Sequence, residues 1–292
     1  MDDIVPSLLE AIQKDFKKQF QSNHTVSRIW GKIKSKTVTY KDANEFSIAV
    51  GEMLAKSYKK YISVDTLPDG KMWYNIATRI LGPTFHTNYS LITDVCDEAQ
   101  KIINENGGIG LGTVLPEFND NKLKGFIDKV SNAETFEDVQ WMLDEPVVNF
   151  SQSVVDDYIK TNADFHYESG LTPKIRRSVG DLNPCKWCRN LAGTYEYPYV
   201  PRDVYRKHER CRCVVEYIED GKYVQDVHSK KWRDDYETPA AKQIRLDKLA
   251  EQQSKEMKRQ AEQNIIRQLM EEHGWDERGA TIYYRTHIAN KN

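Results

Sequence analysis

The chain has 292 residues, of which 39% are hydrophobic and 29% charged, with a formal net charge of −2 and a mean hydropathy of −0.71. That is room for about two domains with modest cores and much exposed helix, and the near-neutral balance excludes a chain-wide demand for nucleic acid or an anionic surface, leaving only local patches to meet one. The apolar runs fall far short of the roughly 20 residues a bilayer span needs, and the opening MDDIVPSLLEAIQKDF lacks the apolar stretch of a secretory signal, so the expectation is a chain made in cytosol without a membrane anchor.

The first pattern is helical. Val5, Leu8, Leu9, Ile12, Phe16 and Phe20 recur at spacings of three and four, and Pro6 suits a first helical turn. This stripe reads as core-facing, with a docking face for another subunit as the alternative. Phe46, Val50, Met53, Leu54, Tyr58 and Tyr61 mark a second stripe, so the first 65 residues read as two amphipathic helices. Residues 1–40 carry seven Lys/Arg against four acids, a weak basic patch that a solvated face explains as well as DNA does. Asp69-Gly70 signals a turn. A helix then runs to Leu81, where Gly82-Pro83 stops it. Another, over residues 88–106, holds Cys96 as a small buried hydrophobe.

GGIGLG at 107–112 lacks the Lys-Ser/Thr of a phosphate-binding loop and follows no convincing strand, so it reads as a flexible connection. Ser131 with Glu134 reads as a capping box that opens a helix through Phe136, Val139, Trp141 and Met142, ended by Pro146. A longer helix over residues 148–167 carries the ridge Phe150, Val154 and Tyr158 and stops at Gly170.

From residue 172 to residue 233 the composition changes: four prolines, three glycines, six tyrosines and four of the five cysteines. Residues 193–197 are strand-like, and 213–218 with 222–227 flank Glu219-Asp220-Gly221 as a hairpin. Residues 240–272 then hold no Gly or Pro and only sparse apolar positions, which reads as a long exposed helix. Residues 274–292 read as a loosely ordered tail. The expected fold is mainly α: a multi-helix body, a small zinc-stapled β-hairpin module near residues 180–230 and a long C-terminal helix. The regions divide as 1–85, 86–171, 172–236 and 237–292.

The chemistry concentrates in two motifs. Cys-Lys-Trp-Cys at 185–188 and His-Glu-Arg-Cys-Arg-Cys at 208–213 give Cys-x2-Cys, nineteen residues, then His-x2-Cys-x-Cys. Zinc takes four thiolate or imidazole ligands in a tetrahedron, and a Cys-x2-Cys turn delivers two sulfurs to one ion. Cys185, Cys188, His208, Cys211 and Cys213 are five candidates for about four positions. Cys211 and Cys213, two apart, would point to one face of a strand. Either can complete the set while the other supports it. Five cysteines are too few for a disulfide scaffold, and clustered cysteines in a reducing compartment go to metal more often than to bridges. Four protein ligands close the site, so the zinc is expected to be structural and the chain not an enzyme: Glu209 is the one acid beside the ligands, and no general base stands out. Between residues 172 and 233 there are fourteen Lys/Arg against eight Asp/Glu, interleaved with tyrosines and Trp187. That fits contact with DNA phosphates and a plain charged surface equally.

Asp181, CKWC, Leu191-Ala192-Gly193, a proline, then HERCRC resembles the MuF-type minor head proteins of tailed bacteriophages. GIGL, LDEPVVNFSQSVVDD and GLTPKIRR upstream resemble minor capsid proteins of siphophages that infect Gram-positive bacteria. The likeness covers roughly residues 95–220. It departs at Glu209 and Arg210, where such proteins usually carry a proline, and the residues after the knuckle leave no room for the toxin or transferase domain that some members add. The resemblance implies a low-copy protein of the virion, inside the phage head or at its portal. Its partners would be portal and head proteins, with packaged DNA as a non-specific one, in a multi-copy assembly acting in head morphogenesis and in genome ejection. A zinc-containing, nuclease-like DNA-binding protein is the alternative.

Overall fold

The computed structural model describes residues 3–180, 184–208, 210–218, 259, 262–274 and 276–288. The chain divides into two units, Met1–Gln225 and Asp226–Asn292. In the first, six helices build the body: α1 (Val5–Ser22), α2 (His24–Lys34), α3 (Tyr40–Tyr61), α4 (Tyr74–Gly107), α5 (Asp120–Ser131) and α6 (Glu145–Glu168).

Their starts follow from local chemistry. The Asn23 side chain accepts from the Val26 N–H at the head of α2, and Thr39 with Asp42 closes a reciprocal capping box at the head of α3. The apolar stripes turn inward. Val5 and Ile12 of α1 are buried, with Leu8, Phe16 and Phe20 packed beside them, and Phe46, Val50, Met53, Leu54 and Tyr58 of α3 are buried. Three helices stand where two stripes predicted two; α2 is short, and only its Val26 and Ile29 are buried. α3 lies close against α6 at Gly51, where an added Cβ would meet the Val148 Cα and the Ser151 Oγ at 2.8 Å each. Around Phe85 the core is aromatic, with the Phe150 ring 4.5 Å and the Phe126 ring 5.0 Å away.

Two expectations are corrected here. Gly82-Pro83 does not stop a helix: α4 runs unbroken for 34 residues. Gly82 has no Cβ to collide with the Pro83 ring, so the usual restriction on the residue before proline is relaxed. Ile80, Leu81, Thr84 and Phe85 are all buried, and that packing offsets the lost backbone hydrogen bond. Cys96 is fully buried in the same helix, and Gly108, left-handed at φ 65°, caps it, so the glycine run serves as the connection to α5.

Nor does the Ser131–Glu134 pair open a helix. Ser131 is the last residue of α5, because Leu123, Ile127 and Val130 already bury a helical face upstream of it. Phe136, Val139 and Leu143 instead plug the core from a loop, with a 3-10 turn at Gln140–Leu143 and a backbone bond from Phe136 N–H to the Gly70 carbonyl at 2.9 Å. α6 ends as expected, with Gly170 at φ 90° and the Leu171 N–H bonded back to the His166 carbonyl.

Beyond α6 lies a three-stranded antiparallel sheet, β1 (Lys174–Ser178), β2 (Gly193–Glu196) and β3 (Val214–Ile218), in the order β2-β1-β3. The described module is therefore a sheet centred on a strand the hydrophobic pattern does not reveal. The second half of the expected hairpin, 222–227, lies outside the described residues. The sheet sits on the body: β3 packs against α3 and α6, and the Tyr217 hydroxyl meets His166 Nδ1 of α6 at 2.8 Å.

In the second unit, residues 262–273 form helix α8, which overlaps the end of the expected long helix and runs one residue past it; most of that expectation lies outside the described residues. Of the expected tail, residues 275 and 289–292 lie outside the described residues, and most of the rest carries secondary structure. α9 (Glu277–Tyr283) follows, with Asp276 capping it through the Gly279 N–H, and a π-turn extends to Ile288. Among the described residues no helix is long and apolar enough to cross a membrane.

Candidate metal centre

The sheet holds two connections, the first carrying two of the donors and the second three. In the first, Cys185 caps the short helix α7 (Lys186–Asn190): its sulfur accepts from the Cys188 N–H at 3.4 Å, so one turn of backbone sets Cys185 and Cys188 side by side. In the second, a 3-10 turn (Arg202–Tyr205) leads to His208. Arg210 then adopts a left-handed φ of 56°, and the Cys211 N–H bonds to the His208 carbonyl at 3.1 Å. This reversal aims Cys211 back at the cluster. Cys211 and Cys213 precede β3 and do not lie on a strand, which corrects the expected strand geometry; both are buried.

All five predicted donors come together, in two overlapping triads that share Cys188: Cys185 with Cys188 and His208, and Cys188 with Cys211 and Cys213. Cys188 Sγ lies 3.9 Å from Cys211 Sγ, and His208 Nε2 lies 3.4 Å from Cys185 Sγ and 2.8 Å from Cys188 Sγ. A tetrahedral zinc with ordinary bond lengths separates two sulfurs by about 3.7 Å and a sulfur from a nitrogen by about 3.5 Å. Two of the three spacings match, and the third must open slightly. The four cysteines of the cluster are all free thiols, so the donor set suits a thiophilic divalent ion, and these residues can hold one.

The thiols perturb one another. A hydrogen bond with Cys213, together with burial, pushes the Cys211 thiol up to about 12. The same bond holds Cys213 below its ordinary value, and the Cys188 N–H does the same for Cys185. Burial raises Cys188. Thiols ligate as thiolates, so loading an ion expels these protons.

Behind the donors lies a buried charged layer that motif reading misses. Arg177 on β1 is 1% exposed and donates to the carbonyls of Asp203, Val204 and Arg206. Its Nη2 also reaches Cys211 Sγ at 3.7 Å, and its guanidinium lies 5.1 Å from the Trp187 ring centre. Trp187 in turn meets the His208 ring edge-on at 5.6 Å. Lys207, beside His208, donates to the Cys213 carbonyl at 2.7 Å and pairs with Asp156 of α6 at 3.2 Å, their side chains 3% and 1% exposed. Burial pushes the Asp156 carboxyl up to about 6 against the opposing pull of Lys207. The one available signal was alternation in Lys174–Ser178, where Ile175 and Arg177 face inward, and an arginine at an inward position hides it.

No protein-family model, curated protein or solved structure matches this chain. The site therefore stands on its own geometry.

Proposed function

We propose that the chain is a minor head protein of a tailed bacteriophage, internal or portal-associated, in which a structural zinc staples a small sheet to a helical body. The observation that carries the metal half of this reading is the convergence of Cys185, Cys188, His208, Cys211 and Cys213 from two separate connections. The sheet shares the body's core through Ile175, Val215 and Tyr217, but its two connections bury only Cys188, Val204, Cys211 and Cys213 among the described residues, so they are the part that a staple would hold. The phage half rests on the motif order CKWC, Leu191-Ala192-Gly193 and HERCRC within residues 95–220. A helical body free of membrane-spanning segments among its described residues is compatible with a place in the virion.

Lys186, Arg189 and Arg202 are exposed around the donors. They give packaged DNA a non-specific contact without making the chain a nuclease. Peptide mapping of purified virions, paired with elemental analysis of the isolated chain, tests both halves. The reading expects the chain in virions at low copy with about one zinc each, and loss of that zinc in Cys185→Ser. Absence from virions removes the phage assignment, and a metal-free chain with an intact, protease-resistant sheet removes the staple.

A further inference from the structure

The buried layer holds two cations, Arg177 and Lys207, against one carboxylate, Asp156. An unmatched cation out of water is strongly unfavourable, so an anionic neighbour has to face this layer. Arg212, the next basic residue along, is already matched by Glu145 at 2.7 Å and Glu52 at 3.7 Å. What the surplus faces is the sulfur cluster: Arg177 Nη2 points at Cys211 Sγ, and the Lys207 ammonium is bonded to the Cys213 carbonyl.

A divalent ion with three thiolates and one neutral imidazole carries a net charge of −1, with four thiolates −2, and with two thiolates none. Only the first closes the balance with Arg177, Lys207 and Asp156. Resting on the metal-staple reading above, we propose that the centre is a Cys3His site made by Cys185, Cys188, His208 and Cys211. Cys213 stands outside the coordination sphere, and Arg177 is the positioning residue that neutralises the site through the Cys211 sulfur. Two observations select Cys211. Its sulfur stands 3.9 Å from Cys188 Sγ, near a tetrahedral edge. It also receives the charged hydrogen bond of a buried guanidinium, which suits a metal-bound thiolate. Cys213, whose sulfur also lies within 4.8 Å of Cys188 and Cys211, is tied through its backbone carbonyl to Lys207.

Cobalt(II) titration of the full chain tests this, because sulfur-to-cobalt charge-transfer absorption counts thiolates. The wild type should show three thiolates and about one cobalt per chain. Cys213→Ser should keep the full absorption. Cys211→Ser should lose about one third of it, one thiolate of three. Arg177→Met, with helical content checked by circular dichroism, should retain the three-thiolate spectrum but bind cobalt about 10- to 100-fold more weakly, and Arg177→Lys should recover part of that. Four thiolates in the wild type, or the loss falling on Cys213→Ser, overturns the inference while leaving a metal centre in place. So does an Arg177→Met chain that loses stability at unchanged cobalt affinity. If no variant and no wild type binds cobalt, the metal-staple reading itself fails. Should Arg177→Met not fold, the two cysteine variants still decide.

Discussion

Replacing Lys207 by methionine tests the joint between sheet and body. The ammonium lies 3.2 Å from Asp156 Oδ2, with both side chains out of water. At an effective dielectric of 20 that separation gives an attraction of about 5 kcal/mol. Removing one member of such a pair strands the other, at a cost of about 3–5 kcal/mol. In a unit of this size each kcal/mol moves the melting temperature by about 2–4 °C, so Lys207→Met should melt about 10 °C lower. The pH dependence has a defined sign. The Asp156 carboxyl ionises near about 3.9 when unfolded and at about 6 when folded. The stability it lends is therefore full below the unfolded value and lost as pH rises through 6. Below pH 6 the carboxyl is largely protonated and needs no counter-ion; above it, Lys207 and Arg177 oppose its charge. The cost of Lys207→Met should thus be small at about pH 5.5 and full at about pH 8. The double variant Lys207→Met/Asp156→Leu should recover most of the loss, since an apolar pair of similar volume replaces both charges. Urea unfolding followed by circular dichroism at both pH values measures all three. A cost under about 1 kcal/mol at the higher pH, an equal cost at both, or a double variant no better than the single would refute the reasoning.

Gly51→Ala sets helix propensity against packing: alanine favours a helix by about 1 kcal/mol, but its Cβ would sit 2.8 Å from the Val148 backbone. The clash should win by about 1–3 kcal/mol. Gly31→Ala and Gly125→Ala, with open space at the same atom, should each stabilise by about 0.5–1 kcal/mol; equal effects at all three sites would contradict the close α3–α6 approach. Chelation should leave most of the far-ultraviolet helical signal while amide protection in β1, β2 and β3 collapses. Hydrogen exchange reads this directly, and loss of protection spread evenly over α3, α4 and α6 would count against a local staple.

The parts legible in the sequence are those where one physical pattern acts alone. The stripes of α1, α3 and α6 survive because burial at three-and-four spacing is what holds each helix. The donors are legible because ligand chemistry leaves no substitute for Cys and His at such spacing. Illegible features arise where tertiary contacts override a local signal. Pro83 is carried through α4 by its buried neighbours and by Gly82 in front of it. The Ser131 capping sequence loses to a helix already formed upstream. Strand β1 hides because Arg177 occupies an inward position that pattern reading reserves for apolar residues, and its reason for being there, the sulfur cluster and the carbonyls of the second connection, lies more than twenty-five residues away.

The order β2-β1-β3 places the earliest strand in the middle, and the connections from β1 to β2 and from β2 to β3 bear two and three of the donors. An ion held by both connections turns two open loops into one closed ring. A protease that cuts once between Cys188 and Gly193, or once between Glu196 and His208, would then release nothing: the severed ends, each with donors of its own, stay tethered through sulfur and imidazole until the ion is withdrawn. Durability of this part of the chain would follow metal supply rather than the continuity of its backbone.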